Sequence, residues 1–433
     1  MKILFISKEL IAVGLIPFLQ NEGHELKLFI QERGLKHCYD GMVEKTNDWK
    51  QELEWVGKNG LILFDDVGYG KDQDRLRRQG YKVIGGSLGG DLIESDRLYG
   101  QKIFDECGIT SIPSFSFNSI EAALVFVKGH KKKRWVIKKN GGHKSALNYV
   151  GQLRSGDDVE TILAHYQQLG IESVHLQQRV DGIEIGVGRY FNGHDWVGPI
   201  EINLEHKSLM PENIGPKTPE MGTLMWYDSN EQSQLFQKTL AKLKSYLTRV
   251  NFRGDIEINC IVTKTNVWPL EATARFGVPS TVLQTEIHQS PWGEFLFAIA
   301  NGDSYPLRYK KGFGIVVTIA VPPFPFRRIS KEFGSNGIEI FFHKPLRGHD
   351  WKHYSFEEVA KNTDTSGKVE YVLAGTKGCA GYVSGFGTTV PIARTDAYRR
   401  VTNMVIPKMF YRTDIGLDFV DRSAQLLKKW KWI

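Results

Sequence analysis

The chain is short of the features that mark several large protein classes. It has only four cysteines in 433 residues, Cys38, Cys107, Cys260 and Cys379, far apart and without a Cys-x-x-Cys pair. That excludes a disulfide framework and a cysteine-based metal site, and it predicts reduced thiols in a cytoplasmic protein. No run approaches the roughly 20 apolar residues that a membrane-crossing helix needs, and the opening stretch 1–10 is interrupted too soon for a signal peptide. Charge of one sign is not in large excess either: 56 Lys and Arg stand against 49 Asp and Glu, a net charge of +7. Such a small excess favours anionic ligands mildly and is no nucleic-acid signature. Internal repeats and low-complexity linkers are absent, as are a Ser-His-Asp or Cys-His arrangement and the Walker spacing.

What is present suits a folded, multidomain protein. Hydrophobic residues make up 41% and aromatics 12%, too much for a disordered chain. At roughly 100–200 residues per domain, the length predicts two to four domains. Strand candidates at 2–6, 25–30, 61–64 and 82–85 alternate with helical stretches, the first at 10–19, which argues for a parallel α/β sheet. Gly85-Gly86 and Gly89-Gly90 break the pattern. A helix capped by Ser95 or Asp96 then runs to Cys107 and stops at Gly108. Further on, the pattern predicts strands at 134–139, 173–178 and 183–190, helices at 157–169 and 231–250, and a hairpin of 255–263 with 267–273. From about 322 the chain is β-rich, with a helix near 395–405. The segments 1–108, 109–182, 183–321 and 322–433 are the expected domains.

Three stretches carry candidate chemistry. In the hairpin, Asp255, Glu257 and Asn259 share one strand face, and Glu271 and Thr273 share a face of the partner strand. Carboxylates facing each other across two strands repel unless a cation lies between them. Hard oxygen donors of this kind suit Mg2+ or Mn2+ beside phosphate oxygens; the other reading is a solvated acidic face. Arg275, just past Thr273, suits charge on a transferring phosphoryl group. In the second stretch, an apolar strand ends on Lys138 and runs into Asn140-Gly141-Gly142-His143-Lys144-Ser145. The small residues of that turn let backbone N–H groups approach phosphates. The third is Gln177-Gln178-Arg179-Val180-Asp181-Gly182-Ile183-Glu184, a strand, turn and strand against which an adenine can lie, with Glu184 near a ribose hydroxyl. His143 and His206 read as ordinary loop histidines.

The order of these stretches resembles the ATP-grasp superfamily, and within it the phosphoribosylamine–glycine ligases (glycinamide ribonucleotide synthetases). Glu205-His206-Lys207 resembles that family's Asp-His-Lys, and the loop Gly215–Gly222 its Gly-Pro-Asn-Thr-Gly-Gly-Met-Gly. Glu271-Ala272-Thr273-Ala274-Arg275-Phe276-Gly277 resembles Glu-Phe-Asn-x-Arg-Phe-Gly, and Arg412-Thr413-Asp414-Ile415-Gly416 resembles Arg-x-Asp-Ile-Gly.

The resemblance implies an α/β fold with an N-terminal parallel domain, a nucleotide clamp of two subdomains and a β-rich C-terminal domain. It implies an ATP-dependent carboxylate–amine ligase working through an acyl phosphate, with ATP and Mg2+ (or Mn2+), on a small-molecule amino acid and amine, as a monomer or homodimer. By similarity Glu257 and Glu271, with Asn259 and Thr273, hold the metal. Lys138, Arg97 and the loop residues Gly141, Gly142, Lys144 and Ser145 meet phosphates; Gln177, Arg179 and Val180 line the adenine; Glu184 binds the ribose; Arg275 steadies the phosphoryl group. Lys207 and Lys217, Thr218, Pro219, Glu220, Met221 and Gly222 line the carboxylate substrate's pocket. Asp65, Asp66, Arg412 and Asp414 belong to the acceptor.

Some residues depart from the family pattern. Thr273 stands where it has Asn, and Lys217-Thr218-Pro219-Glu220 where it has Asn-Thr-Gly-Gly. Ser7-Lys8-Glu9-Leu10 replaces the Asn-Gly-Gly-Arg-Glu-His run at the phosphate end of the family's amine, and Asp65 and Asp66 suit an amine or sugar hydroxyl better than a phosphate. These departures support a second expectation, a diverged ligase that joins another amino acid to another amine such as a modified nucleotide or base. A third, a nucleotide-binding protein without catalysis, is opposed by the retention of Lys138, Glu257, Glu271 and Arg275.

Overall fold

The computed structural model describes residues 1–138, 148–326, 333–363 and 365–433. Five strands open the chain: β1 (Lys2–Ser7), β2 (Glu25–Ile30), β3 (Glu44–Thr46), β4 (Leu61–Phe64) and β5 (Lys82–Ile84). They run parallel in the order β3-β2-β1-β4-β5. Ile3–Ile6 and Leu61–Phe64 are fully buried, the continuous apolar runs expected of parallel strands covered on both faces. Strand order reverses between β1 and β4, so the crevice at their C-terminal ends is the switch point at which such sheets take ligands.

Two local expectations fail here for tertiary reasons. The helix expected at 10–19 is instead a loop, a 3-10 turn Val13–Leu15 and a helix Ile16–Asn21. Asp65 at the end of β4 captures the donors of the loop and overrides the apolar periodicity. The glycines at 89 and 90 sit inside a helix, Leu88–Ser95, whose cap Ser87 accepts from the N–H of Gly90. A Cβ at Gly89 would lie 2.5 Å from Val250 Cγ1, and one at Gly90 2.7 Å from the Phe252 ring, so close packing requires both glycines. Asp96 does cap the next helix, Arg97–Glu106, accepting from the N–H groups of Leu98 and Tyr99.

A second sheet, in the order β6-β9-β7-β8, contains β6 (Ser114–Phe117), β7 (Trp135–Lys138), β8 (Tyr149–Val150) and β9 (Val174–Gln178). Helices Ile120–Gly129 and Asp157–Gln168 cover it, and its core, which includes Trp135, Ile137, Leu163 and Val174, is its own.

The third sheet has eight strands. β10 (Ile183–Asn192), β11 (Trp196–Glu205), β12 (Gly222–Asp228), β13 (Arg253–Val262), β14 (Val267–Thr273) and β15 (Phe313–Ala320) precede β16 (Phe341–Phe342), β17 (Tyr354–Phe356), β18 (Val359–Thr363), β19 (Val369–Leu373), β20 (Cys379–Gly387) and β21 (Met404–Val405). The order is β14-β13-β10-β11-β12-β15-β20-β17, with β16–β21 and β18–β19 as separate pairs. The segment 322–433 therefore completes the sheet of the preceding segment and shares its core, where Val383, Ala393 and Val401 join Ile185 and Val187. Alternation along a strand marks its faces and says nothing of its neighbours. The helix expected at 231–250 breaks at Thr239 (φ −126°, ψ −101°) into Gln234–Lys238 and Leu240–Arg249, and the helix expected near 395–405 lies at Val390–Val401. The four cysteines are unpaired. Among the described residues no helix is long and apolar enough to cross a membrane.

Candidate active site

Over β10, β11, β13 and β14, one face of the eight-stranded sheet is polar. Residues paired across strands share a face. The register therefore aligns Asn203, Gly186, Asn259 and Glu271 in one row, and Glu201, Gly188, Glu257 and Thr273 in the next. The central glycines leave room for long side chains to lean across β10. A Cβ at Gly186 would lie 2.2 Å from Asn203 Oδ1 and 2.7 Å from Glu257 Oε1.

The deep end of this face is a buried hydrogen-bonded chain. Asn203 Nδ2 donates to Glu257 Oε2 at 2.7 Å and to Glu201 Oε1 at 3.2 Å. Gln284 Nε2 donates to Glu201 Oε2 at 2.8 Å and Asp255 Oδ2 at 3.0 Å, and Gln284 Oε1 accepts from the Tyr190 hydroxyl at 2.7 Å. Burial, and then Asp255, pushes the Glu201 carboxyl up to about 8, while burial lifts Asp255 to about 6. Burial, followed by Glu205 and Glu201, raises Glu257 well above the usual carboxylate range.

At the outer end the charges are opposite and paired. Lys207 Nζ lies 2.8 Å from Glu205 Oε2, 3.5 Å from Glu271 Oε1 and 3.9 Å from Glu184 Oε1. Burial opposes the Lys207 charge, but these carboxylates outweigh it and hold the ammonium well above its ordinary value. Lys207 in turn is the main cause holding the Glu271 carboxyl down to about 2, with Lys138 and Arg97 adding. Arg97 Nη2 is 4.0 Å from Glu271 Oε2. Burial, and then Arg97, lowers Lys138 to about 8. The helix after Asp96, the end of β7, the end of β11 and β14 thus bring Arg97, Lys138, Lys207 and Glu271 into one electrostatic group.

Other expected residues are engaged elsewhere. Arg275 Nε lies 3.1 Å from Glu94 Oε1 and 3.5 Å from Asp66 Oδ1, tying β14 to the N-terminal crevice. Asp65 Oδ2 accepts from the Ser7 hydroxyl at 2.7 Å and the Ala12 N–H at 3.1 Å, and its Oδ1 accepts from the Lys8 N–H at 3.3 Å. Arg412, 1% exposed, makes a two-pronged pair with Asp414 at 2.8 and 2.6 Å and donates to Ser208 O and Asn213 Oδ1. Asp414 Oδ2 also accepts from the Glu212 N–H. Arg412 and Asp414, expected to meet the acceptor, instead latch the loop after β11, because burial leaves an arginine no option but to find such partners.

That loop is held along its length. Thr218 N and Oγ1 both donate to Lys207 O, and Glu220 Oε1 accepts from the N–H groups of His206 and Gly222. Lys217 pairs with Ser208; Lys217 and Pro219 are exposed, while Thr218, Glu220 and Met221 are buried. Burial, and then Arg412, lowers His206 to about 4, so it carries no charge near neutrality. In the hinge, Gln177 is buried in β9 and Arg179 donates to Asp181, Gly151 O and Gln152; Val180 lies in the turn before β10. Gly141, Gly142, His143, Lys144 and Ser145 lie outside the described residues.

Sequence reasoning missed Glu201, Asn203, Gln284 and Glu94. For the first two a signal existed: Glu201-x-Asn203-x-Glu205 is a polar run with the period of a strand.

Hard oxygen donors beside an ionised Glu271 fit a divalent cation, which usually takes one or two carboxylates plus phosphate oxygens. Among the described residues no group of three His, Cys, Asp or Glu forms a metal cage by itself, so these residues would supply only part of the coordination shell.

Fold and site together resemble those of ATP-grasp proteins. Residues 95–281 match the family model described as phosphoribosylglycinamide synthetase, ATP-grasp (A) domain. More particularly, the chain is similar to phosphoribosylamine–glycine ligases. That of Leifsonia xyli subsp. xyli is 25% identical over 358 residues, covering 79% of this chain and 80% of the relative, and that of Mycobacterium leprae is 24% identical over 356 residues, 79% of each chain. The crystal structure of phosphoribosylamine–glycine ligase from Thermotoga maritima superposes with a TM-score of 0.69 at 19% identity, over 96% of this chain and all of that one. Biotin carboxylase of Campylobacter jejuni follows at 0.65 and 13% identity, over 99% and 98%.

Proposed function

We propose that this chain is an ATP-dependent, ADP-forming carbon–nitrogen ligase that joins a carboxylate to an amine, with glycine and phosphoribosylamine as its substrates. The observation that carries the reading is the convergence of Lys138, Arg97 and Lys207 on Glu271 from separate elements, a cationic lining beside a carboxylate in a chain that resembles glycine ligases over most of its length. In the first step the substrate carboxylate oxygen attacks the γ-phosphorus of ATP, forming an acyl phosphate and releasing ADP. In the second, the amine attacks the acyl carbon, the C–O bond to phosphate breaks, and the amine loses a proton as phosphate leaves. Lys138 and Arg97 neutralise phosphate oxygens, Lys207 orients the carboxylate, and the loop latched by Arg412 closes the pocket; positioning and charge neutralisation are what this chemistry asks of a protein. A divalent cation held by Glu257 and Glu271 would neutralise charge on the phosphates.

The test is ADP release from Mg-ATP across a panel of amino acids, with and without phosphoribosylamine generated in place. Turnover that requires both glycine and phosphoribosylamine establishes the reading. Binding of ATP without ADP release under any combination removes it.

A second reading, a diverged acceptor, is favoured by Asp65. Its carboxylate already takes the Ser7 hydroxyl and two backbone N–H groups at the switch point, donors that a phosphate would otherwise use. Turnover with an unphosphorylated amine in the same panel decides for it.

The Lys138 environment sets a pH dependence. With its ammonium lowered to about 8 by burial and Arg97, it is charged below that pH and loses its charge as the pH rises through it. Nucleotide affinity, measured by titration calorimetry with ADP, is expected to fall several-fold between about pH 7 and pH 9.5, and Lys138→Arg is expected to flatten the profile. An unchanged slope in that variant would place Lys138 away from the phosphates.

A further inference from the structure

We infer that Asn259 supplies the side-chain amide oxygen for the divalent cation that position 273 supplies in the family pattern, with Glu205 and Asn203 as positioning residues; the inference rests on the ATP-dependent reading. Three features meet at this point. Position 273 is Thr where the pattern has Asn, position 205 is Glu where it has Asp, and Asn259 stands directly across from Glu271 in the β13–β14 register.

The orientation of the Asn259 amide follows from its partner. Asn259 Nδ2 donates to Glu205 Oε2 at 3.1 Å. A carboxylate only accepts, so this bond fixes the amide with its NH2 on the Glu205 side and its carbonyl oxygen on the other. That oxygen is buried in a residue 2% exposed and has no hydrogen-bond partner among the described residues. Interior acceptors are seldom left unpaired, and a carbonyl oxygen directly across from a carboxylate is a donor set for a hard cation. Glu205 is itself pinned by Lys207 at 2.8 Å, and its extra methylene over Asp gives the reach across β10 to Asn259.

Asn203 acts on the other carboxylate. Its Nδ2 holds Glu257 at 2.7 Å, while its Oδ1 lies over Gly186, 2.2 Å from where a Cβ would be. The Asn203 oxygen lies on the same polar face, also without a hydrogen-bond partner among the described residues. Two strands separate it from Glu271, whereas Asn259 stands directly across from that carboxylate, so Asn203 is assigned to positioning Glu257. Thr273, paired in register with Glu257, brings only a short hydroxyl to its row, and the amide oxygen has moved one strand over.

The test reads metal binding without turnover. Mn2+ is titrated into the full chain with ADP, and free Mn2+ is followed by its paramagnetic resonance signal. Asn259→Ala is expected to weaken Mn2+ binding about tenfold or more, the scale of losing a ligand or its support, and adding Thr273→Asn is expected to recover most of it. Glu205→Asp is expected to weaken it by a smaller factor. Parental affinity in folded Asn259→Ala, a loss that Thr273→Asn does not recover, or a parent that binds no Mn2+ would each overturn the inference. Should Asn259→Ala fail to fold, Asn259→Asp carries the test, with binding at least several-fold tighter expected and unchanged affinity counting against it. A chain that binds Mn2+ through Asn259 yet ligates nothing removes the ligase reading and leaves this one standing.

Discussion

Glu271→Ala is expected to lower ADP-forming turnover by about three orders of magnitude, a loss of about 4 kcal/mol in transition-state stabilisation. The size follows from how many charges the carboxylate organises. It lies 3.5 Å from Lys207 and 4.0 Å from Arg97, and these cations together with Lys138 hold it ionised down to about pH 2. Without it, Lys138, already lowered by burial and by Arg97, loses one of its nearest anions, and Lys207 is left to Glu205 and Glu184. The donor set for a cation loses its one strongly ionised member, and electrostatic pre-organisation around a transferring phosphoryl group is the largest single contribution such a site makes. Glu271→Gln keeps the shape without the charge and is expected to share most of the defect. Steady-state ADP release with saturating ATP, together with a melting temperature near that of the parent, makes the comparison. Near-parental turnover in the alanine variant would sink the metal assignment.

The second large effect is on stability. Arg412→Ala is expected to destabilise the chain by about 3–5 kcal/mol, the usual cost of removing one partner of a buried, hydrogen-bonded ion pair. Arg412 is 1% exposed and gives two donors to Asp414 and two more to Ser208 O and Asn213. Truncation leaves Asp414 with the Glu212 N–H as its remaining partner and frees the 208–213 loop. Arg412→Lys keeps the charge but cannot reproduce the fork, and it is expected to recover less than half of the loss. Urea unfolding followed by tryptophan fluorescence and far-UV dichroism measures this. A midpoint within error of the parent would mean that the latch contributes nothing to the folded state.

Much of the architecture is legible in local pattern. β2, β4 and the hairpin of β13 and β14 follow from apolar runs, alternation and a polar turn, and Asp96 is a helix cap by its side-chain chemistry alone. The polar face of the hairpin is legible too, because a strand's period of two puts Glu257 and Asn259 on one side whatever surrounds it. Less legible is everything that depends on who packs against whom. The pattern over 10–19 is helical, yet Asp65 from another strand folds the loop around its carboxylate. The glycines at 89 and 90 look like breakers until Val250 and Phe252 are seen against them.

The candidate site divides in the same way. The residue types that this chemistry needs are in the sequence: lysine at the end of an apolar strand, carboxylates at strand spacing, and the Glu271-to-Gly277 run that carries the family resemblance. Their division of labour is not. Arg275, Arg412 and Asp414 read as substrate or phosphoryl contacts, and the folded chain spends them on Glu94, on each other and on the loop after β11. Composition and local period settle which groups are available and on which face of their element they stand, because those depend on backbone geometry alone. Which of them stay free to act is settled only by tertiary structure, because a buried charge must first be paired, and its partners come from strands and loops far away in the chain.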